Sequence, residues 1–166
     1  MTTDETRWLS DVERQAWAPF VGVLLKLPPA LDTAMRQSTG LSHFEYVVLS
    51  AMSEAGDRTL PMSKLAAVTN ASSSRLSHVV DKLEQRGWVR RSGHPTNGRV
   101  THATLTDDGM VIVVETAPKH LEAVRALVID ALKPSQLGQL SAIANQILER
   151  VAPGDAVAIA AAMRDR

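Results

Sequence analysis

The residues best equipped for chemistry lie on one face of one short segment. Ser73, Ser74, Ser77, His78 and Lys82, with Arg75 beside them, alternate with Leu76, Val79, Val80 and Leu83. The apolar set falls at i, i+3, i+4, i+7, the spacing of a helix with one buried side. The opposite side therefore gathers hydroxyls, an imidazole and cations, the groups that reach base edges in a major groove. Ser72 stands at the helix start, and Lys82 and Arg86 are placed nearer phosphates. A serine-rich helix start also caps its own N–H groups, and most amphipathic helices only cover a core. The residues on either side separate these readings.

Gln85-Arg86-Gly87 ends the helix with a cation near its negative pole and a glycine at the left-handed cap. Residues 88–91 read as a strand, 94–99 as a turn and 100–105 as the returning strand, with Arg90, Arg91 and Arg99 expected to contact DNA. A helix over 63–69 and a Thr69-Asn70 turn come before. Helix, turn, donor-rich helix and an arginine-tipped hairpin make a winged helix-turn-helix.

Net charge is zero, which argues against a general nucleic-acid binder. Its distribution argues differently. Between Arg75 and Arg99 six Lys/Arg face two acids, a balance of +4, so the rest of the chain carries −4. A local basic patch on a neutral protein suits docking on phosphates. There is no cysteine, which excludes disulfides, thiolate zinc sites and thiol nucleophiles. No Gly-x-Ser-x-Gly elbow, P-loop or dinucleotide fingerprint is present, so no enzyme and no cofactor is expected. No stretch approaches 18 apolar residues and no charged-then-apolar leader opens the chain, so a soluble, cytoplasmic protein without a membrane partner is expected.

Around the donor-rich segment stand longer helical patterns. One runs over 8–37 through Trp8, Val12, Ala16, Phe20, Val23, Leu24 and Leu27, with a break or kink expected at Pro28-Pro29 and a stop at Gly40. Trp8, Trp17 and Phe20 cluster at one end, more as core or subunit contact than as a ligand box. Ser42-His43-Phe44-Glu45 is a capping box opening a helix with Phe44, Val47, Val48 and Ala51 inward. Thr59-Leu60-Pro61 reads as a third strand beside the wing. Thr106 and two carboxylates open a helix whose seam is Met110, Val114, Ala117, Leu121, Val124 and Val128, bent at Pro118. Pro134 opens another, with Leu137, Leu140, Ile143, Ala144, Ile147 and Leu148 apolar, and an Ala-rich tail over 155–166 follows. The terminal helices carry more apolar surface than one copy can bury, which points to a two-fold homodimer.

The chain resembles the MarR family of winged-helix transcriptional regulators over residues 8–151. The resemblance rests on Leu41-Ser42-His43-Phe44-Glu45-Tyr46-Val47-Val48-Leu49, on Met62-Ser63-Lys64-Leu65-Ala66 with 72–83, on Gln85-Arg86-Gly87-Trp88-Val89-Arg90-Arg91, and on Leu105-Thr106-Asp107-Asp108-Gly109. It implies a mainly α dimer with a small antiparallel β-wing. Dimerisation helices would occupy 8–40 and 106–166, and the DNA-binding lobe 41–105. It also implies pseudo-palindromic duplex DNA as partner and a small aromatic or phenolic effector. For that effector Trp17, Phe20, Leu24, Tyr46 and Met110 are the apolar candidates, with Arg36 or His43 for a carboxylate or phenol. The family's wing reads Asp-Pro-x-Asp-x-Arg; here His94-Pro95-Thr96-Asn97-Gly98-Arg99 keeps the arginine and lacks both carboxylates. His43, Glu45 and His120 are residue types that can ligate metal, but they lack ligand spacing and read more plainly as solvated or capping side chains, so no metal is expected. The expected function is a DNA-binding regulator, a repressor; the alternative is a winged-helix protein-interaction module without DNA readout.

Overall fold

The computed structural model describes residues 6–94 and 97–153, with His94 and residues 97–99 described through their backbone alone. Helix α1 (Asp11–Thr39) opens on a reciprocal capping box. The Ser10 hydroxyl accepts from the Glu13 N–H at 3.3 Å, and the Glu13 carboxylate accepts from the Ser10 N–H at 2.7 Å. It ends at Gly40, whose φ of 74° is the left-handed cap. Trp8 lies before the helix, not on it. No break occurs at Pro28-Pro29: α1 runs continuously through Pro19, Pro28 and Pro29. Each proline removes one donor, but all three sit on exposed positions, which leaves the freed carbonyls accessible to solvent.

Helix α2 (His43–Ser53) has the expected box at Ser42 and Glu45. Its buried face is turned from the expected one. Tyr46, Val48, Leu49 and Met52 are buried, whereas Phe44 and Ala51 are only partly covered. The helix is enclosed by α1 and by elements further along the chain, so two sides of it face protein.

Strand β1 (Thr59–Pro61) leads directly into α3 (Met62–Val68) and α4 (Ser73–Gln85). Strands β2 (Val89–His94) and β3 (Asn97–Leu105) form the hairpin, and the sheet order is β1-β3-β2, antiparallel throughout. Leu60 faces Ala103, and Val89 faces Leu105. The core joins Leu49, Met52, Leu65, Leu76, Val80, Leu83, Val89, Leu105 and Val113, so the sheet and α2–α4 are one packed unit.

Helix α5 (Asp107–Leu127) is capped by Thr106, which accepts from the Gly109 N–H at 3.0 Å and donates to the Gly87 carbonyl at 2.8 Å. It stays helical through Val111–Val114 and Pro118. Its inward face within one copy is Gly109, Val113, Thr116 and Ala123, and the seam read from the sequence lies largely beside it. Met110 packs on the core, while Val114 and Leu121 are each 60% exposed. A 3₁₀ turn (Ile129–Ala131) joins α5 to α6 (Pro134–Val151), no residue of which is buried. Among the described residues no helix is long and apolar enough to cross a membrane. The tail read over 155–166 lies outside the described residues.

Candidate nucleic-acid interface

The turn between α3 and α4 is built locally. The Ala71 N–H donates to the Ala66 carbonyl at 2.9 Å, the Thr69 hydroxyl to the Leu65 carbonyl at 2.7 Å, and Asn70 takes a φ of 47°. Asparagine tolerates that left-handed conformation better than most residues. Ser72 then caps α4 by accepting from the Arg75 N–H at 3.3 Å. Leu76, Val79, Val80 and Leu83 are buried as their spacing required. Ser73, Ser74, Arg75, His78, Lys82 and Arg86 are exposed, and Ser77 is partly covered. Gln85 joins this outer face. A neutral amide carries no charge that would mark it in the sequence.

The two flanks of α4 are held differently. On one, the Arg75 guanidinium lies 3.9 Å from the centroid of the Phe44 ring on α2. On the other, Arg91 of β2 is tied to the helix. Its N–H donates to Glu84 Oε1 at 2.8 Å, its Nε to Glu84 Oε2 at 2.9 Å, and its Nη2 lies 2.5 Å from Asp81 Oδ1. The Arg91 N–H, then its guanidinium, hold the Glu84 carboxyl below the usual carboxylate range. Arg91 is thus engaged within the protein. Its neighbour Arg90 is exposed, and Arg86 stacks 4.9 Å from the Trp88 ring. Glu84 and Arg91 are seven residues apart across a glycine cap, and that spacing was the one available sign of the pairing. Pro95, Thr96 and the side chains of His94, Asn97 and Arg99 lie outside the described residues.

The seven effector candidates do not share one cavity. A cleft of about 520 Å³ opens between α1, α2 and α4, and of the seven only Arg36 and His43 line it. Asp32, Phe44, Arg75, His78 and Lys82 line it too. Trp17 and Leu24 are exposed on α1, and Met110 packs on the core. Tyr46 is buried with its ring 4.7 Å from His120, which also stacks on His43 at 5.5 Å. Burial pushes the His43 imidazole below its ordinary value, with Asp32 opposing. The His43 backbone N–H donates to Asp32 Oδ1 at 2.9 Å, and Arg36 Nε donates to Oδ2 of the same carboxylate at 2.7 Å. Among the described residues no group of three acids and imidazoles could hold a metal.

The MarR family model matches residues 41–101, the span from the α2 cap into β3. MhqR, an HTH-type transcriptional regulator of Bacillus subtilis (strain 168), is 33% identical over 81 residues, 49% of this chain and 54% of that protein. The chain thus spans about half the length of that curated relative. Among solved structures, Sco3205 of Streptomyces coelicolor, a MarR family transcriptional regulator in complex with DNA, is 37% identical with a TM-score of 0.82. The match covers 92% of this chain and 96% of that one. AbsC of the same organism, another MarR family regulator, is 35% identical with a TM-score of 0.78, covering 88% of this chain and 98% of the other. With a shared winged helix, a matching family signature and likeness over nearly its whole length, this chain belongs to the MarR family.

Proposed function

We propose that this protein is a sequence-specific DNA-binding transcriptional regulator, acting as a repressor on pseudo-palindromic duplex DNA as a homodimer. One observation carries the reading. A helix with a fully buried apolar face presents hydroxyls, an imidazole and cations outward beside a basic hairpin. The likeness to Sco3205, solved with DNA, supports it. Ser73, Ser74, Ser77 and His78 would face base edges, with Arg75 at their margin. Ser72, Lys82, Arg86 and Arg90 would lie nearer phosphates, and Arg99 would enter from the hairpin. The dimerisation regions would be 8–40 and 106–166, flanking a DNA-binding lobe at 41–105. A small aromatic acid or phenol would act through the cleft where Arg36 and His43 meet α4.

The test is retention of duplex DNA fragments between about 50 and 200 mM salt. A DNA reader neutralising several phosphates loses affinity steeply over that range. Selected fragments should share two half-sites about one helical turn apart. Binding that is flat in salt and indifferent to sequence would favour a winged-helix protein-interaction module.

A further inference from the structure

The clasp between α4 and β2 has no part in that reading, although it uses a cation from the middle of the basic stretch. Arg91 satisfies two carboxylates, and its backbone N–H is spent on one of them. The strand itself is tethered, not only a side chain. A guanidinium fork set against a carboxylate fixes both distance and angle, which a single contact does not. Beneath it Leu83 of α4 and Val89 of β2 are both buried, so the clasp closes over packed side chains. One cation with two carboxylates leaves the cluster at −1, and an incoming phosphate would be repelled there. Alternation along β2 turns the neighbouring Arg90 to the other face, where it is exposed.

Resting on the DNA-binding reading, we propose that Arg91 is a positioning residue. With Glu84 and Asp81 it locks the hairpin at one angle to α4, so that helix and hairpin meet DNA as a single rigid reader. A DNA-contacting arginine and a positioning arginine predict opposite signs for the same substitution. Glu84→Gln keeps the shape and removes one negative charge. If Arg91 touched phosphate, this change would free the cation and tighten binding.

The experiment measures Glu84→Gln, Arg91→Ala and the double variant on a selected duplex, with amide exchange of the free proteins beside it. Each single variant should lose about three- to tenfold in specific affinity, and the double variant no more than either. Amides of β2 and β3 should exchange faster in Glu84→Gln while those of α2 keep their protection, which verifies the fold. Tighter binding by Glu84→Gln, additive losses, or unchanged hairpin exchange in a wild type that does bind DNA overturns the clasp alone. A wild type without salt-dependent duplex binding overturns both readings.

Discussion

At Gly109 the fold leaves no room for a side chain. A Cβ there would stand 2.2 Å from the Trp88 carbonyl oxygen and 2.7 Å from a Leu105 methyl. The first obstacle is backbone at the end of the α4–β2 turn, which cannot swing aside as a flexible tip would. Gly109→Ala should therefore cost about 1–3 kcal/mol, the range for overpacking, and lower the midpoint of denaturant unfolding accordingly. Gly138 of α6 has nothing within 4 Å, so Gly138→Ala should gain about 0.5–1 kcal/mol from helix propensity. A gain at both positions would mean that α5 starts further from β2 than described. Caps were legible at this scale because they obey local rules: Ser42, Thr106, Gly40 and Gly87 each announce themselves within four residues. The close approach at Gly109 was not, since it joins a helix start to a carbonyl 21 positions back in the chain. Arg75 was legible as a cation but not as a partner of Phe44, which lies 31 residues earlier on another helix. If that guanidinium reads a guanine, Arg75→Ala should cost about 1–3 kcal/mol and relax preference at one base pair per half-site. Uniform weakening across sequences would make it a phosphate contact.

Element by element, periodicity located α3, α4, α5 and α6, and the α4 core face came out residue for residue. Periodicity does not say how many sides of a helix meet protein, and so the buried face of α2 differs from the expected one, while the α5 seam lies largely outside the core of one copy. It also overweighted Pro28-Pro29, whose lost donors matter little on an exposed helix side. The contact of α2 with α1 and α5 has a pH signature. His43 faces Asp32 and Arg36 of α1, Glu45 of its own helix, His120 of α5, and Arg75, His78 and Lys82 of α4 across the cleft. Burial lowers its folded pKa below the ordinary imidazole value of about 6.5, so the unfolded chain binds its proton more readily. Stability from this site is complete above about pH 6.5 and declines as pH falls toward the depressed folded value. Glu84 and Asp32 contribute in a lower window. Their folded values are depressed, so their stabilisation is present above the unfolded carboxylate pKa and is lost as pH falls through the folded one. Urea melts at pH 5, 6 and 7 should show stability rising with pH. His43→Gln should flatten the rise between 5 and 7, and an unchanged slope in that variant would remove His43 as its source.

The whole molecule presents an imbalance between its two ends. The winged unit buries most of its large apolar residues, Val68 aside, yet α1 buries only Met35 along 29 residues, about 43 Å of helix, and α6 buries none. Val12, Trp17 and Leu24 of α1, Val114 and Leu121 of α5, and Ile143, Ile147 and Val151 of α6 are left exposed. Scattered apolar side chains on a surface need no explanation, but a concentration on the terminal helices does. The simplest arrangement that covers all three helices is a second copy related by a two-fold axis, which would also set two α4 helices one DNA turn apart. Light scattering at micromolar concentration should give twice the chain mass. A charge at the middle of the α6 stripe tests the surface directly. Ile143→Glu cannot disturb a core within one copy, because the residue is 56% exposed there. It should nevertheless lower the mass toward that of a single chain and reduce thermal stability in a concentration-dependent way. DNA affinity should fall with it, because two half-sites bound by separate chains lose the advantage of linkage. Leu121→Glu should act in the same direction from α5. A stable dimer retained by both variants would place the interface elsewhere, and an unchanged DNA affinity in a proven monomer would separate DNA reading from dimerisation.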